Sequence, residues 1–403
     1  MASRFQRIVN DIKGMKLDLR MNDLTEMLEV KYKETEWQDL EDTIEAIILM
    51  DMEELGYGVR GKKRPAITSV QRAWVKLADS QRYHPIKRYF ERLPTYEPKN
   101  PTGSVSPQPY MVHTLASYFG NPDGMFGVWL FKWLTGCIAK LYEQERNPML
   151  VLVSEQEKGK SFFAQWLCSM GKEYFLEGPI NPESKDARLR LTDRFIHEVG
   201  ELGATTRRAD SESLKEFITK KFNTDRYPYG KRPMTKPCVC NFIGSVNHDG
   251  AGFLNDPTGS TRFLACEIEK INWSYTDIDP DVLWSEALWF YRNVPNCWQL
   301  NSQEKEDRKR INSQFEMVEP LADYVDQYLE ITGSRDDFMT TVEIMDYLGK
   351  HYRFTNEKVF SRDLARVLYK QGLKPEREPY RKGQPHRRGY YGLKRQGTVS
   401  LDE

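Results

Sequence analysis

The stretch from Met149 to Leu167 constrains this chain more than any other. Met149 to Val153 is apolar and rich in branched residues, which suits a central strand, and Phe162 onward has the composition of a helix. Between them lies Ser154-Glu155-Gln156-Glu157-Lys158-Gly159-Lys160-Ser161. Set against the phosphate-loop pattern GxxxxGK[ST], Gly159, Lys160 and Ser161 match, and Ser154 stands where the first glycine is expected. Each residue type has a chemical reason. Backbone N–H groups of such a loop and of the following helix N-terminus point at phosphate oxygens. Glycine lets the backbone approach closely. Lys160 can reach the β- and γ-phosphates, and Ser161 can offer its hydroxyl to Mg²⁺. Ser154, Gln156, Lys158, Gly159, Lys160, Ser161 and Phe162 are therefore the candidate residues for ATP.

From Pro148 to about residue 300, short apolar runs alternate with amphipathic helices, which predicts βαβ units and a mostly parallel sheet. Ahead of it, residues 1–100 read as a helical accessory or oligomerisation domain with at most one short hairpin. In it, 36–55 forms a helix with Leu40, Ile44, Ile47 and Ile48 on one face, and 68–93 a second helix breakable at Pro85. A proline-rich linker or wrapping loop runs from Pro94 to Pro109, and 110–146 reads as helix. The expected divisions are 1–100, 101–310 for the α/β core and 311–403 for a basic C-terminal domain.

Lys plus Arg number 59 and Asp plus Glu 59, so the net charge is zero. That excludes a uniformly basic nucleic-acid coat and an acidic disordered chain, and any polyanion site must come from local clustering. The six cysteines include no CxxC pair, which removes support for zinc-ribbon and thioredoxin-type chemistry and fits a reducing cytosol. The N-terminal residues lack the apolar core of a signal peptide, and no run reaches membrane-spanning length, so no membrane partner is expected.

A nucleotide-hydrolysing site needs carboxylates near the loop. Thirty-eight residues past Lys160, the run Phe195-Ile196-His197 leads into Glu198 and then Glu201. Glu198, with Ser161, is the candidate for the Mg²⁺ shell and Glu201 for activating water, although the two roles can be exchanged. His197 reads as a packed, hydrogen-bonded core residue. The apolar run 238–246 ends in Asn247, which either orients water at the γ-phosphate or closes the strand in an Asx turn. Fifteen residues on, Arg262 follows a tight turn. It either enters another subunit's phosphate site or makes an ordinary surface ion pair.

These pieces, in order, resemble the virulence-associated protein E family, P-loop ATPases of phages and mobile elements related to superfamily-three replicative helicases. His84 to Leu93 resembles that family's HPxxxYLxxL segment. Gln156 with Gly159-Lys160-Ser161 is similar to its GxQGxGKS loop, with Ser154 and Glu157 replacing two glycines. Phe195 to Leu202 resembles its hydrophobic-ExxEL strand, and Arg226 to Lys231 its RxxYG segment. Asp256 to Phe263 resembles its DxTGxRRF, with Thr261 replacing the first arginine. The resemblance spans about residues 84–300. It implies an AAA+-type P-loop NTPase core that uses ATP and Mg²⁺ and forms a ring, a hexamer, around DNA in the cytoplasm of a bacterial host cell. No carboxylate constellation for polymerase chemistry precedes the core, so a primase or polymerase is expected from another chain.

Two basic regions are candidates for DNA. Residues 227–236 form a basic, aromatic hairpin in which Lys231, Arg232 and Lys236 can track phosphates and Tyr229 can stack on a base; the alternative is a turn against a neighbouring subunit. Residues 362–395 carry eleven Lys/Arg against three Asp/Glu. Two helices, the first opened by a Thr340–Glu343 capping box, and a basic hairpin read as winged-helix-like. Arg362 and Arg366 lie on the second helix and Arg387 and Arg388 in the hairpin; the alternative is a basic packing lid. The expected function is an ATP-dependent DNA helicase or replication initiator acting on single-stranded or forked DNA, or on an origin duplex. The alternative is an ATP- and DNA-binding assembly protein with little hydrolysis.

Overall fold

The computed structural model describes residues 4–54, 67–98, 107–202, 211–226, 232–247, 253–254, 261–316, 320–350, 361, 364–365, 367–369, 371–377 and 388–396. Residues 1–249 with 261–312 form one compact unit, and 250–260 with 313–403 form a second. No helix among the described residues is long and apolar enough to cross a membrane.

The first unit opens with α1 (Arg4–Gly14), β1 (Leu17–Asn22), β2 (Leu28–Tyr32), β3 (Gln38–Asp39), α2 (Asp42–Glu54), α3 (Ile67–Asp79) and β4 (Arg82–Tyr83). Its strands form a four-stranded sheet in the order β3-β2-β1-β4, with β1 antiparallel to β2 and parallel to β4. This corrects the expectation of a helical piece. Leu17, Leu19 and Met21 alternate with polar residues, and that two-residue period sends one face of β1 into a core shared with Ile8, Ile12, Val70 and Trp74. In α2 the expected apolar face is narrower than drawn: Ile48 is buried but Ile47 is 51% exposed, because one residue turns the helix by about 100°. The expected second helix is broken ahead of Pro85, as that proline allowed: α3 ends at Asp79 and Pro85 opens the next helix. Pro85 stands in the first turn of α4 (Pro85–Arg92), where its missing N–H has no intrahelical partner to lose, and His84 caps the helix by accepting from Lys87 N at 3.3 Å.

The expected helix over 110–146 is two helices, α5 (Tyr110–Ala116) and α6 (Phe126–Glu143), separated by β5 (Phe119–Gly120). Asn121 closes the gap, accepting from Phe126 N at 2.8 Å. Of the expected linker or wrapping loop, residues 99–106 lie outside the described residues; ahead of them Tyr96 donates to the buried Glu286 at 2.5 Å, and the Met111 and Val112 N–H groups of α5 donate to the same carboxylate.

Next come β6 (Met149–Ser154), α7 (Lys160–Leu167), β7 (Phe175–Glu177), α8 (Lys185–Asp193), β8 (Ile196–Val199), α9 (Ser211–Thr219), β9 (Phe222–Asp225), β10 (Met234–Pro237), β11 (Asn241–Asn247), β12 (Phe263–Glu267), β13 (Lys270–Ile271), α10 (Pro280–Asn293) and α11 (Ser302–Ser313). Five strands form a parallel sheet in the order β12-β6-β11-β8-β7, as the alternating pattern predicts. All six residues of β6 are buried, which explains its unbroken apolar run. The tryptophans of α6 lock the helix to the sheet: Trp129 Nε1 donates to Ala265 O at 3.2 Å and Trp133 Nε1 to Phe242 O at 3.0 Å. Every cysteine is a free, buried thiol.

The second unit contains α12 (Pro320–Tyr328), β14 (Leu329–Ile331), β15 (Phe338–Thr340), α13 (Thr341–Leu348), β16 (Glu376–Arg377), β17 (Arg388–Tyr391) and β18 (Leu393–Arg395). The strands pair as β15-β17-β16 and β14-β18. The Thr340–Glu343 capping box is present in both directions. Leu364, Val367 and Leu368 face inward and join Val325, Ile344 and Leu348 in one core.

Candidate functional site

The parallel sheet sets the site by register. Asn247 at the end of β11 is opposite Ser154 at the end of β6, and on the other side of β11, Ile243 is opposite Glu198 in β8. β11 therefore separates the loop strand from the strand that carries the acid. All three strands point their C-terminal ends at one edge, where α7 begins.

Between β6 and α7 the chain turns twice through the left-handed region, at Glu157 (φ 61°) and Gly159 (φ 96°). Gly159 is required for a second reason. A Cβ there would stand 2.7 Å from Cη2 and Cζ2 of Trp273, whose indole lies on the loop. Trp273 is half exposed and meets the exposed Phe162 ring with centroids 5.4 Å apart. Lys158 pairs with Glu155 at 2.9 Å. Gln156 is on the exposed tip.

Lys160 is buried, and burial lowers the pKa of its ammonium below the ordinary lysine value. Its Nζ donates to Ser154 Oγ at 2.7 Å, Glu155 O at 2.8 Å and Ser154 O at 3.1 Å, with Asn247 Oδ1 at 3.5 Å. Ser154, where the pattern has glycine, thus becomes a partner of the lysine.

Glu198 is fully buried in β8. Its Oε1 accepts from Ser161 Oγ at 3.1 Å and from Ser245 Oγ at 2.5 Å. Its Oε2 is buried with no hydrogen-bond partner. Burial raises the carboxyl pKa above the ordinary glutamate value, and the two hydroxyls pull it back. A serine hydroxyl beside a carboxylate with an unused oxygen is a hard oxygen-donor set that fits Mg²⁺. Glu201 follows in a turn, exposed, with φ 50°. His197 is buried, its Nε2 2.9 Å from Gly178 O, and burial depresses its pKa to about 4, as the packed-core reading requires.

Arg262 lies at the opposite edge of the sheet. Its carbonyl accepts from Met149 N at 2.8 Å, at the start of β6. The loop begins after Ser154, five residues further along, or about 16 Å at strand rise. The structure thus brings together Lys160, Ser161, Glu198 and Asn247 and keeps Arg262 away from them.

Among the DNA candidates, β9 and β10 form the expected hairpin, with Met234 opposite Asp225. Arg232 is exposed near its tip. Lys236 is corrected: it is buried, its Nζ donating to Asp23 O at 2.7 Å and Leu24 O at 2.6 Å, with Glu26 at 3.5 Å. The run of basic residues hid this, because the two-residue period of a strand turns Lys236 to the inner face. Arg388 is exposed in β17, opposite Arg377. Tyr229, Lys231, Arg362, Arg366 and Arg387 lie outside the described residues.

Sequence reasoning missed Ser245 and Trp273. Ser245 stands two residues before Asn247, so strand periodicity alone offered it. Trp273 carries no local signal; only the fold lays it on the loop.

The family model for a virulence-associated protein E-like domain matches residues 106–317. No curated protein matches the chain. Among solved structures, an apo structure of the NrS-1 C-terminal region aligns with TM-score 0.49 and 14% identity over 97% of this chain and 100% of that one. An A-form apo structure of the same region gives 0.45 and 14% over 96% and 98%.

Proposed function

This chain belongs to the virulence-associated protein E-like family, and from that premise we propose that it is an ATP-dependent DNA helicase or replication initiator of a phage or mobile genetic element. The observation that carries the reading is the meeting of Lys160, Ser161 and Glu198 at one sheet edge, with Glu198 Oε2 buried and unpartnered. The strand order, with β11 between the loop strand and the acid strand, supports an AAA+-type core. Two helices and the β15-β17-β16 sheet support a winged-helix-like second unit.

In this reading Lys160 moves from its contacts with Ser154 and Glu155 onto the β- and γ-phosphates of ATP. Ser161 and Glu198 hold Mg²⁺, which supplies charge neutralisation for the phosphates. Asn247 orients a water against the γ-phosphorus, and Glu201 takes its proton. The water oxygen bonds to phosphorus as the bond to the β–γ bridging oxygen breaks, leaving ADP and phosphate. Arg262 acts on the pocket of a neighbouring copy, because its own is about 16 Å away. The family resemblance implies a hexameric ring as the assembly, and in this reading Arg232, Tyr229 and Lys231 at the hairpin and Arg362, Arg366, Arg387 and Arg388 in the second unit are the DNA contacts.

One feature favours a second reading, an ATP-binding assembly protein that hydrolyses little. Glu157 places a strained, charged side chain in the loop. Steady-state ATPase with and without single-stranded DNA separates the two. The motor reading expects DNA-stimulated phosphate release, lost in Glu201→Gln, and unwinding of forked DNA, lost in Lys160→Ala. ATP-dependent assembly without phosphate release selects the second.

A further inference from the structure

The chain that leaves the parallel sheet past β12 runs beside the loop. Ile268 N donates to Val153 O at 2.7 Å, one residue before the end of β6. β13 then pairs with β5, Ile271 opposite Phe119, and a 3-10 turn follows over Trp273–Asp277. The turn is fixed at several points. Asn272 N donates to Tyr118 O at 2.8 Å, Asn272 Oδ1 accepts from Ser274 N at 3.1 Å, and Thr276 Oγ1 donates to Trp273 O at 2.8 Å. Tyr275 is fully buried among Phe119, Phe163 and Trp166. Trp273, two residues earlier, is 50% exposed. The benzo edge of its indole lies against Gly159. Phe162, 45% exposed, meets the indole at an interplanar angle of 60°. Two large rings left half in water on anchored backbone make a rigid apolar surface, the kind that a flat ligand covers.

The neighbouring loop says which ligand. In a phosphate loop the backbone N–H groups cradle the α- and β-phosphates, and the lysine takes the β and γ. Lys160 Nζ is directed back to Ser154, so the terminal phosphates belong on that side. The α-phosphate then belongs at the first turn of α7, which carries Ser161 and Phe162. The ribose and base leave from there, beside the two rings. We propose that Trp273, flanked by Phe162, stacks on the base of the bound nucleoside triphosphate. The inference rests on the triphosphate reading of the Lys160 loop. It gives Trp273 two contacts from one ring, its edge on Gly159 and its face on the base.

Calorimetric titration with a non-hydrolysable ATP analogue and, separately, with inorganic triphosphate tests this, because only the first carries a base. Trp273→Ala should weaken binding of the analogue at least about fivefold, the lower end of base–aromatic stacking, and leave inorganic triphosphate unchanged. Trp273→Phe keeps an aromatic face and should recover most of the loss. Phe162→Ala, on a different element, should show the same one-sided loss, and it reads the contact should Trp273→Ala fail to fold. Equal weakening of both ligands means that the indole only props the loop at Gly159; no weakening of either means that the base lies elsewhere. Each result overturns the proposal. If single-stranded DNA binding falls while the analogue holds, the rings stack on a DNA base and the assignment to the nucleotide is wrong. Failure of the broader reading looks different: the unmodified chain then binds neither the analogue nor inorganic triphosphate, and the proposal falls with it.

Discussion

Glu157 holds a backbone angle that suits glycine (φ 61°). For a side chain with a Cβ, the left-handed region costs roughly 1–2 kcal/mol, and here the side chain also adds a negative charge beside the expected triphosphate. Glu157→Gly should therefore lower the KM for ATP several-fold and leave the melting temperature unchanged or slightly raised. Gly159→Ala should do the reverse, because its φ of 96° and the Trp273 ring 2.7 Å from the added Cβ leave no room. Steady-state kinetics and thermal unfolding of both variants check the pair; equal KM values in all three proteins would count against a nucleotide at this loop. The Gly-Lys-Ser triplet was legible in sequence because a tight strand-to-helix turn imposes backbone geometry that few residues allow. The loss of glycine at 157 was legible too, but its strain became visible only as a dihedral angle.

At the scale of the element, the β9–β10 hairpin combines one exposed arginine with one buried lysine. Arg232 faces solvent, whereas Lys236 anchors the hairpin to the Asp23–Glu26 turn. If the hairpin tracks a DNA strand, Arg232→Ala should weaken binding and reduce the salt slope by about one. Lys236→Ala should leave the slope unchanged and lower the melting temperature, since it strips two carbonyls of a buried donor. Binding isotherms at several salt concentrations, with melting curves for each variant, distinguish the two. The hairpin was predictable from its turn residues and its position before an apolar strand. The inward face of Lys236 depended on which register β10 adopts, and a run of basic residues does not encode that. The same limit hid the N-terminal sheet: alternation at 17–21 was present, yet the helical signals around it dominated.

At the scale of the whole molecule, two histidines among the described residues are held neutral by burial, His84 at the cap of α4 and His197 in β8, each depressed to about 4 from 6.5. Their contribution is complete above the unfolded value of 6.5. It is lost as pH falls toward 4, because the unfolded chain takes up protons that the folded chain refuses. The loss is up to about 3 kcal/mol each. Acid unfolding should steepen across this window, and His84→Asn, which keeps a capping side chain, should flatten it; equal melting curves for variant and unmodified protein would rule the mechanism out. By itself the sequence determined the α/β core, the Gly-Lys-Ser turn between its first strand and helix, and the buried acid further along, because strand periodicity and loop chemistry are local and act within a few residues. Only the tertiary structure decided that Ser245 meets Glu198 and that Trp273 covers Gly159. Those meetings are set by strand order and register, which depend on packing between segments far apart in the chain.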